Sequence, residues 1–398
     1  MRLYLLALNP TDSVTEGFLP AAARLGLDVT VLTDQPGAHR RSAPDIEVLE
    51  CDVRDFRAVI TGISAHRPPD AVFTNSDHLQ TQAALAADYF GLPAKDWRAA
   101  LHAKDKAQMR RRLAASGLDA VWSAELPAGA DPSGLASLDV PYPCVVKPRE
   151  GVASEDVVLV EGPDRLVLQC KEIQARRPGS ALVVEEYLAG ELCTLETLGD
   201  GRGRHVLGGF RTRVSALPHF VEERCTFVDA HPEPVTGQVL AQLDALGVGF
   251  GICHTEFVVA DGRARLVEVN YRAAGDQIDL MLARLLDIPL FEHVLRTHLG
   301  EPLPADLGMR RGGAALVDYP YARRAGTLTA APGPADLRVD GVELTYRPLR
   351  AVGERHPLHH TNRDYLGILR AVGRDTDRAT VERVAAGYLA AQRWEITP

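Results

Sequence analysis

Positive charge is in short supply. The 398 residues include 44 Lys and Arg against 53 Asp and Glu, a formal net charge of -9. That balance argues against a large sequence-independent grip on a nucleic-acid backbone. Cysteine is scarce as well. Cys51, Cys144, Cys170, Cys193, Cys225 and Cys253 stand singly with no C-x-x-C spacing, which excludes a compact disulfide framework and reads as reduced thiols. No uninterrupted apolar run reaches 18 residues, so no membrane partner is expected. Only six apolar or aromatic residues separate Met1-Arg2 from Asn9-Pro10, too few for a secretory h-region, and the expected location is the cytoplasm. The 34 Gly and 26 Pro follow no G-X-Y period, which excludes a collagen-like chain. What remains is 46% hydrophobic, enough for more than one buried core in two or three domains.

The first hundred residues have β-α-β rhythm. Leu3 to Leu8 is apolar, Phe18, Ala22 and Leu25 recur at helical spacing, and Val29 to Leu32 is apolar again. A second unit follows through Phe56 to Ile63, Ala71 to Asn75 and His78 to Phe90. This is a small parallel-sheet domain without G-x-G-x-x-G after its first strand, so a dinucleotide site there lacks support. A basic helix from Lys104 to Ser116 leads into a different grammar. From Cys144 to about Asp200, short apolar runs alternate with turn residues, as antiparallel strands do. The expected class is α/β and α+β, with domains over 1–100, 101–306 (a lid over 118–184) and 307–398.

The most informative segment runs from Gly251 to Val259, then from Arg265 to Arg272, around the turn Asp261-Gly262. Alternate strand residues share a face, so Glu268, Asn270 and Arg272 project together, as do His254 and Glu256. Pairing across the turn would set Glu256 and Glu268 on one face beside Asn270. Two carboxylates and an amide oxygen suit Mg²⁺, a hard cation that keeps its other positions for water or phosphate. A solvated strand face is the plain alternative for such residues.

Two further pieces point the same way. Lys147 closes the apolar strand Val145-Val146 just before the loop Arg149 to Ser154, where one positive charge and loop N–H groups can meet a phosphate. A lysine at a strand end is otherwise simply exposed. Glu185-Glu186-Tyr187-Leu188 ends another apolar strand; its backbone can read a purine edge, Glu185 can accept from an exocyclic amine, and Glu191 can reach a ribose. An edge strand with acidic gatekeepers has the same look.

The succession of lysine helix, Lys147 strand and small-residue loop, Glu185 linker, then Glu256 and Glu268-x-Asn270-x-Arg272, resembles the ATP-grasp superfamily, in its carboxylate-amine (L-amino acid) ligase branch. The likeness spans about Lys104 to Gly275; the segments before and after it are similar to that family's N-terminal and C-terminal domains. It implies ATP with Mg²⁺ or Mn²⁺ as cofactors. By this resemblance Lys106 and Lys147 hold phosphates, Ser154 lies in the phosphate loop, and Glu185, Glu186, Tyr187, Leu188 and Glu191 bind the nucleoside. Glu256, Glu268 and Asn270 hold the metal, while Arg272, with Lys147, stabilises the transferring phosphoryl group. Two departures stand out. The phosphate loop usually has several glycines, but only Gly151 lies within Arg149 to Asp156, and the stretch after Asn270 opens Tyr271-Arg272-Ala273-Ala274-Gly275.

The implied reaction activates a small carboxylate as an acyl phosphate and joins it to an amine, an amide or dipeptide bond of the kind used in specialised-metabolite or siderophore biosynthesis. The partners are small molecules, and a homodimer is the general expectation. Arg211, Arg213 and Arg224 are candidates for a substrate carboxylate, His254 and Gly275 for other substrate contacts, and each arginine has a surface role as its alternative. The cluster His356-Pro357-Leu358-His359-His360 reads as a loop, because no carboxylate or cysteine recurs at ligand spacing. Competing readings are a carboxylase-type relative activating bicarbonate and a nucleotide-binding relative without turnover.

Overall fold

A computed structural model describes residues 1–118, 120–308 and 312–398. Its first sheet is parallel, with strands Arg2–Leu6, Asp28–Thr33, Glu47–Glu50 and Ala71–Phe73. Arg2–Leu6 is buried throughout, as expected of a parallel strand covered on both faces. In spatial order the third strand comes first, then the second, the first and the fourth. The chain therefore builds outward on one side of Arg2–Leu6 and returns on the other. A switch of that kind opens a crevice beyond the carboxyl ends of the two flanking strands. The segments leaving those ends, Leu8 to Val14 and Asn75 to His78, both line the molecule's main cleft.

The second sheet is antiparallel with nine strands. It begins with the hairpin Phe250–Ala260 and Arg263–Asn270, continues through Glu191–Asp200, Arg204–Val214 and Glu222–Val228, and then takes up Ala314–Asp318 and later strands. Strands from both sides of residue 306 thus belong to one hydrogen-bonded surface. The hairpin alternates except at a bulge between Glu256 and Phe257, where Val267, which strict alternation would turn away from Glu268, lines the cleft beside it. Phe257, Leu266 and Val269 pack into a core with Leu243 and Met109, leaving Glu256, Glu268 and Asn270 on the opposite face.

The lid is a separate four-stranded sheet. Ser123–Leu126 pairs with Leu182–Glu186, which pairs with Cys144–Pro148, which pairs with Val158–Val160. Helix Pro163–Arg176 covers one face, where Cys144, Val146, Leu182 and Val184 meet Leu166, Cys170 and Ile173. Alternation turns Val145, Lys147 and Glu185 the other way, into the cleft. The loop after Lys147 bends through left-handed backbone without glycine: φ is 56° at Ala153, 55° at Ser154 and 56° at Asp156. Side-chain-bearing residues adopt that region only at a cost of about 1 kcal/mol or more each. Its tip touches the short helix Asn362–Asp364 of the C-terminal segment. Asn362 N–H donates to the Ala153 carbonyl at 3.3 Å, and Arg363 pairs with Glu155. The Asn362 side chain in turn accepts from the Glu222 N–H at 3.1 Å. All six cysteines are free, and no described helix is long and apolar enough to cross a membrane.

Candidate active site

One cleft of about 670 Å³ is bounded by the N-terminal loops, the lid and the hairpin. In the hairpin, His254 faces Asn270 and Glu256 faces Glu268 directly, so the expected face forms. Asn270 Nδ2 donates to Glu256 Oε1 at 3.1 Å. Lys106, from helix Lys106–Ala115, reaches across to donate to Glu268 Oε1 at 2.7 Å. The two carboxylates and the Asn270 amide oxygen form an all-oxygen set that fits a magnesium ion by donor type. Among the described residues no group of three or more His, Cys, Asp or Glu side chains is arranged to hold a metal. The histidine loop is accounted for otherwise: His356 Nε2 bonds Asp364 at 2.8 Å, and the same carboxylate accepts from the His359 and His360 N–H groups.

His254 sits between two carboxylates. Its Nδ1 lies 2.7 Å from Glu196, which also accepts from Thr194, and its Nε2 lies 3.6 Å from Glu256. Burial opposes charge on the ring, but Glu196 and Glu256 outweigh it and raise His254 to about 10. Arg272 stands beside the hairpin, with one guanidinium N–H 3.4 Å from Asn270 Oδ1 and Nε 3.9 Å from Asp77. Asp77 is paired with Lys104.

On the lid side, Glu185 is 3% exposed. Both its oxygens are engaged, one by Arg110 Nε at 2.9 Å, the other by Arg110 Nη2 at 3.0 Å and Lys147 Nζ at 2.7 Å. Burial alone would raise its pKa; Arg110 and Lys147 reverse that and hold it at about 2. Glu185 therefore fixes Lys147 in place. Glu186 accepts from the Trp122 N–H at 3.1 Å, and Tyr187 N–H donates to the Pro143 carbonyl. Tyr187, Leu188 and Ser154 line the cleft.

Some expected contacts are not assembled. Glu191 and Arg211 are about half exposed, 3.5 Å apart, and neither lines the cleft. Arg213 pairs with Glu223 at 3.1 Å, and Arg224 forms a two-bond fork on Asp318 at 2.6 and 2.7 Å. Gly275 does line the cleft.

Other residues enter it that the pattern did not single out. Arg110 follows Lys106 by one helical turn, a spacing that puts both on one face. Asp77 belongs to the polar run Asn75-Ser76-Asp77-His78 directly after a parallel strand, the place where such sheets bind ligands. Glu222 and Asp276 carry no local signal, because strand crossings bring them together. Burial, then the carboxylates of Glu256 and Asp276, outweigh His254 and Arg272 and raise Glu222 to about 8. Burial also raises Asp276.

Residues 140–279 match the model of the ATP-grasp domain family. An uncharacterized protein, y4rH, of Sinorhizobium fredii is 25% identical over 360 residues, covering 85% of this chain and 74% of its own. Among solved structures, an L-amino acid ligase from Bacillus licheniformis superposes with a TM-score of 0.80 at 21% identity, covering 100% of this chain and 99% of that one. The biotin carboxylase domain of Hydrogenobacter thermophilus 2-oxoglutarate carboxylase, solved with MgADP, ADP and bicarbonate, gives 0.71 at 13% identity, covering 100% and 91%. Residues 140–279, which take in the hairpin and most of the lid, thus match an ATP-grasp domain, inside a fold shared along the whole chain with that ligase.

Proposed function

We propose that the protein is an ADP-forming carboxylate-amine ligase acting on an amino acid or similar small acid. The observation that carries this reading is the convergence of Lys106, Lys147, Arg272 and the Glu256, Glu268 and Asn270 set on one cleft. A carboxylate resists amines because its charge is delocalised and oxide does not leave. In the proposed reaction a carboxylate oxygen attacks the γ-phosphorus of ATP and ADP departs. The amine nitrogen then attacks the acyl carbon, phosphate departs and the nitrogen loses a proton. A magnesium ion held by Glu256, Glu268 and Asn270 supplies charge neutralisation on the phosphates.

The chain's own groups do the rest. Lys106 and Lys147 bind phosphate oxygens, and Arg272 stabilises the group in transit. The lid, held against Asn362, keeps water from an acyl phosphate. Glu222 and Asp276 line the far half of the cleft, and Glu222, raised to about 8, keeps its proton near neutral pH and offers an incoming amine a neutral carboxyl with both a donor and an acceptor.

The test is incubation with ATP, Mg²⁺ and pools of amino acids, measuring phosphate and ADP against AMP. Amino-acid-dependent ADP and phosphate are expected. AMP with pyrophosphate would reject the acyl-phosphate route, and ADP release that depends on bicarbonate alone would move the protein to a carboxylase-type reaction.

A further inference from the structure

A buried lysine sits behind the hairpin, where the N-terminal domain meets it; burial lowers it to about 7, and the reaction above leaves it unused. Lys95 is 6% exposed. Its Nζ donates to Gln80 Oε1 at 2.7 Å and to the main-chain carbonyl of Tyr271, and it lies 4.4 Å from the centre of the Tyr271 ring. Both acceptors are neutral, so the usual reason for burying a lysine, a carboxylate partner, is not the one at work here. The surroundings are shaped to admit it. At Gly251 (φ 74°) a Cβ would come within 2.9 Å of Lys95 Cε and 3.4 Å of His298 Nε2. His298 is 4% exposed with neither ring nitrogen hydrogen-bonded. Burial first, and then the charge of Lys95, push it down to about 3 and keep it neutral.

What Lys95 holds is the backbone next to Arg272. Tyr271 is pinned at its far end, where its hydroxyl accepts from the Gly249 and Phe250 N–H groups at 3.2 and 3.1 Å. Lys95 pins the near end through the carbonyl. On the other side of Arg272, Ala273 N–H donates to Asn75 Oδ1 at 2.9 Å. Gln80 completes the frame by donating to the Thr74 and Ser76 carbonyls at 3.1 and 3.0 Å. One tether, Asn75, lies in the loop that follows strand Ala71–Phe73, the other, Lys95, is joined to that loop through Gln80, and Arg272 is the residue between them.

We propose that Lys95 is a positioning residue for Arg272: by joining the Tyr271 carbonyl to Gln80, it fixes the turn from which the guanidinium enters the cleft and makes the N-terminal domain part of that placement. A lysine amine suits the task because its compact head has a donor for each of the two carbonyl oxygens and fits over the ring. An apolar side chain leaves two buried acceptors unpaired. The planar, wider guanidinium of arginine does not reproduce the same contacts beside Gly251. The functional part of this inference rests on the role given to Arg272 above; the structural part does not.

The test uses Lys95→Met and the milder Lys95→Gln, which keeps a donor for the carbonyl, in two measurements on the full chain. The first is hydrogen–deuterium exchange. Amides of the 271–273 turn should exchange faster in Lys95→Met, less so in Lys95→Gln, while those of the lid strand Cys144–Pro148 stay as in the wild type. Unchanged exchange at the turn overturns the proposal whether or not the protein turns over ATP. The second is amino-acid-dependent ADP release. Misplacing a catalytic group by about 1 Å costs on the order of 10²-fold, so kcat should fall about 10- to 100-fold in Lys95→Met with KM for ATP within about twofold. In an Arg272→Ala background the same change should cost nothing more. Additive losses would assign Lys95 a general structural role and overturn the proposal. A wild type that releases no ADP with any amino acid would reject the ligase reading and leave the exchange experiment to decide this one.

Discussion

The two halves of the cleft handle charge in opposite ways. On the lid side each carboxylate is met by cations: Glu185 by Arg110 and Lys147, Glu268 by Lys106. Beyond the hairpin, Glu222 is raised by its neighbours Glu256 and Asp276 more than Arg272 and His254 lower it. The first half is internally balanced and rigid, so an anionic ligand meets lysines that are already aimed. In the second, burial and crowded carboxylates keep Glu222 protonated near neutral pH, so the same sheet face is charged on one side and close to neutral on the other.

The contrast can be broken from either side. The largest expected effect is on stability: Glu185→Ala strands Arg110 and Lys147 without their carboxylate, and loss of one partner of a buried pair costs about 3–5 kcal/mol. Urea unfolding at neutral pH measures it, and an unchanged midpoint would contradict the balanced half. Next come Glu268→Gln and Arg272→Ala, which should each reduce ADP release by roughly 10²- to 10³-fold. Near-normal turnover in either would remove the hairpin from the chemistry.

Glu222→Gln sharpens the other half. Loss of a hydrogen bond to a charged group is worth about 1.5–3 kcal/mol, so KM for the amine should rise about 10- to 100-fold while KM for ATP holds. The same variant carries a pH signature. The folded-state pKa of Glu222, about 8, lies above its ordinary value of 4.5. Its contribution to stability is therefore fully present below about 4.5 and is lost as pH rises through about 8, because the unfolded chain releases the proton first. Thermal melts without added metal should show that decline in the wild type and a flatter profile in Glu222→Gln; parallel profiles would mean the carboxyl is not raised. The smallest effect is expected at Arg211→Ala, where an exposed pair with Glu191 is worth less than about 1 kcal/mol and ADP release should stay near the wild-type rate. A large loss there would extend the site beyond the cleft.

The hairpin was legible in the sequence because its information is local. The Asp261-Gly262 turn specifies the pairing as far as Phe257 opposite Leu266, but strict pairing would then set Glu256 opposite Val267; a bulge between Glu256 and Phe257, which the pattern does not show, brings Glu256 opposite Glu268. The β-α-β rhythm likewise predicts the parallel sheet, and the strand ending in Lys147 lies where its apolar run implies. What could not be read depends on distant crossings. Glu185 meets Arg110 across 75 residues, and its sequence context reads equally well as a purine contact. Glu222 and Asp276 become neighbours only when two segments of different connectivity are folded together. Glycine counting was a poor guide to the phosphate loop, whose left-handed turns fall on Ala153, Ser154 and Asp156 instead.

Asn362 ties two events that a reader of the reaction scheme would treat as separate. Its backbone N–H secures the loop tip at Ala153 while its side chain secures the backbone of Glu222. In the proposed reaction, a swing of the lid that draws Asn362 along would disturb the backbone at Glu222, and admission of the nucleotide and readiness for the second reactant would be linked through a residue of the distal part of the chain.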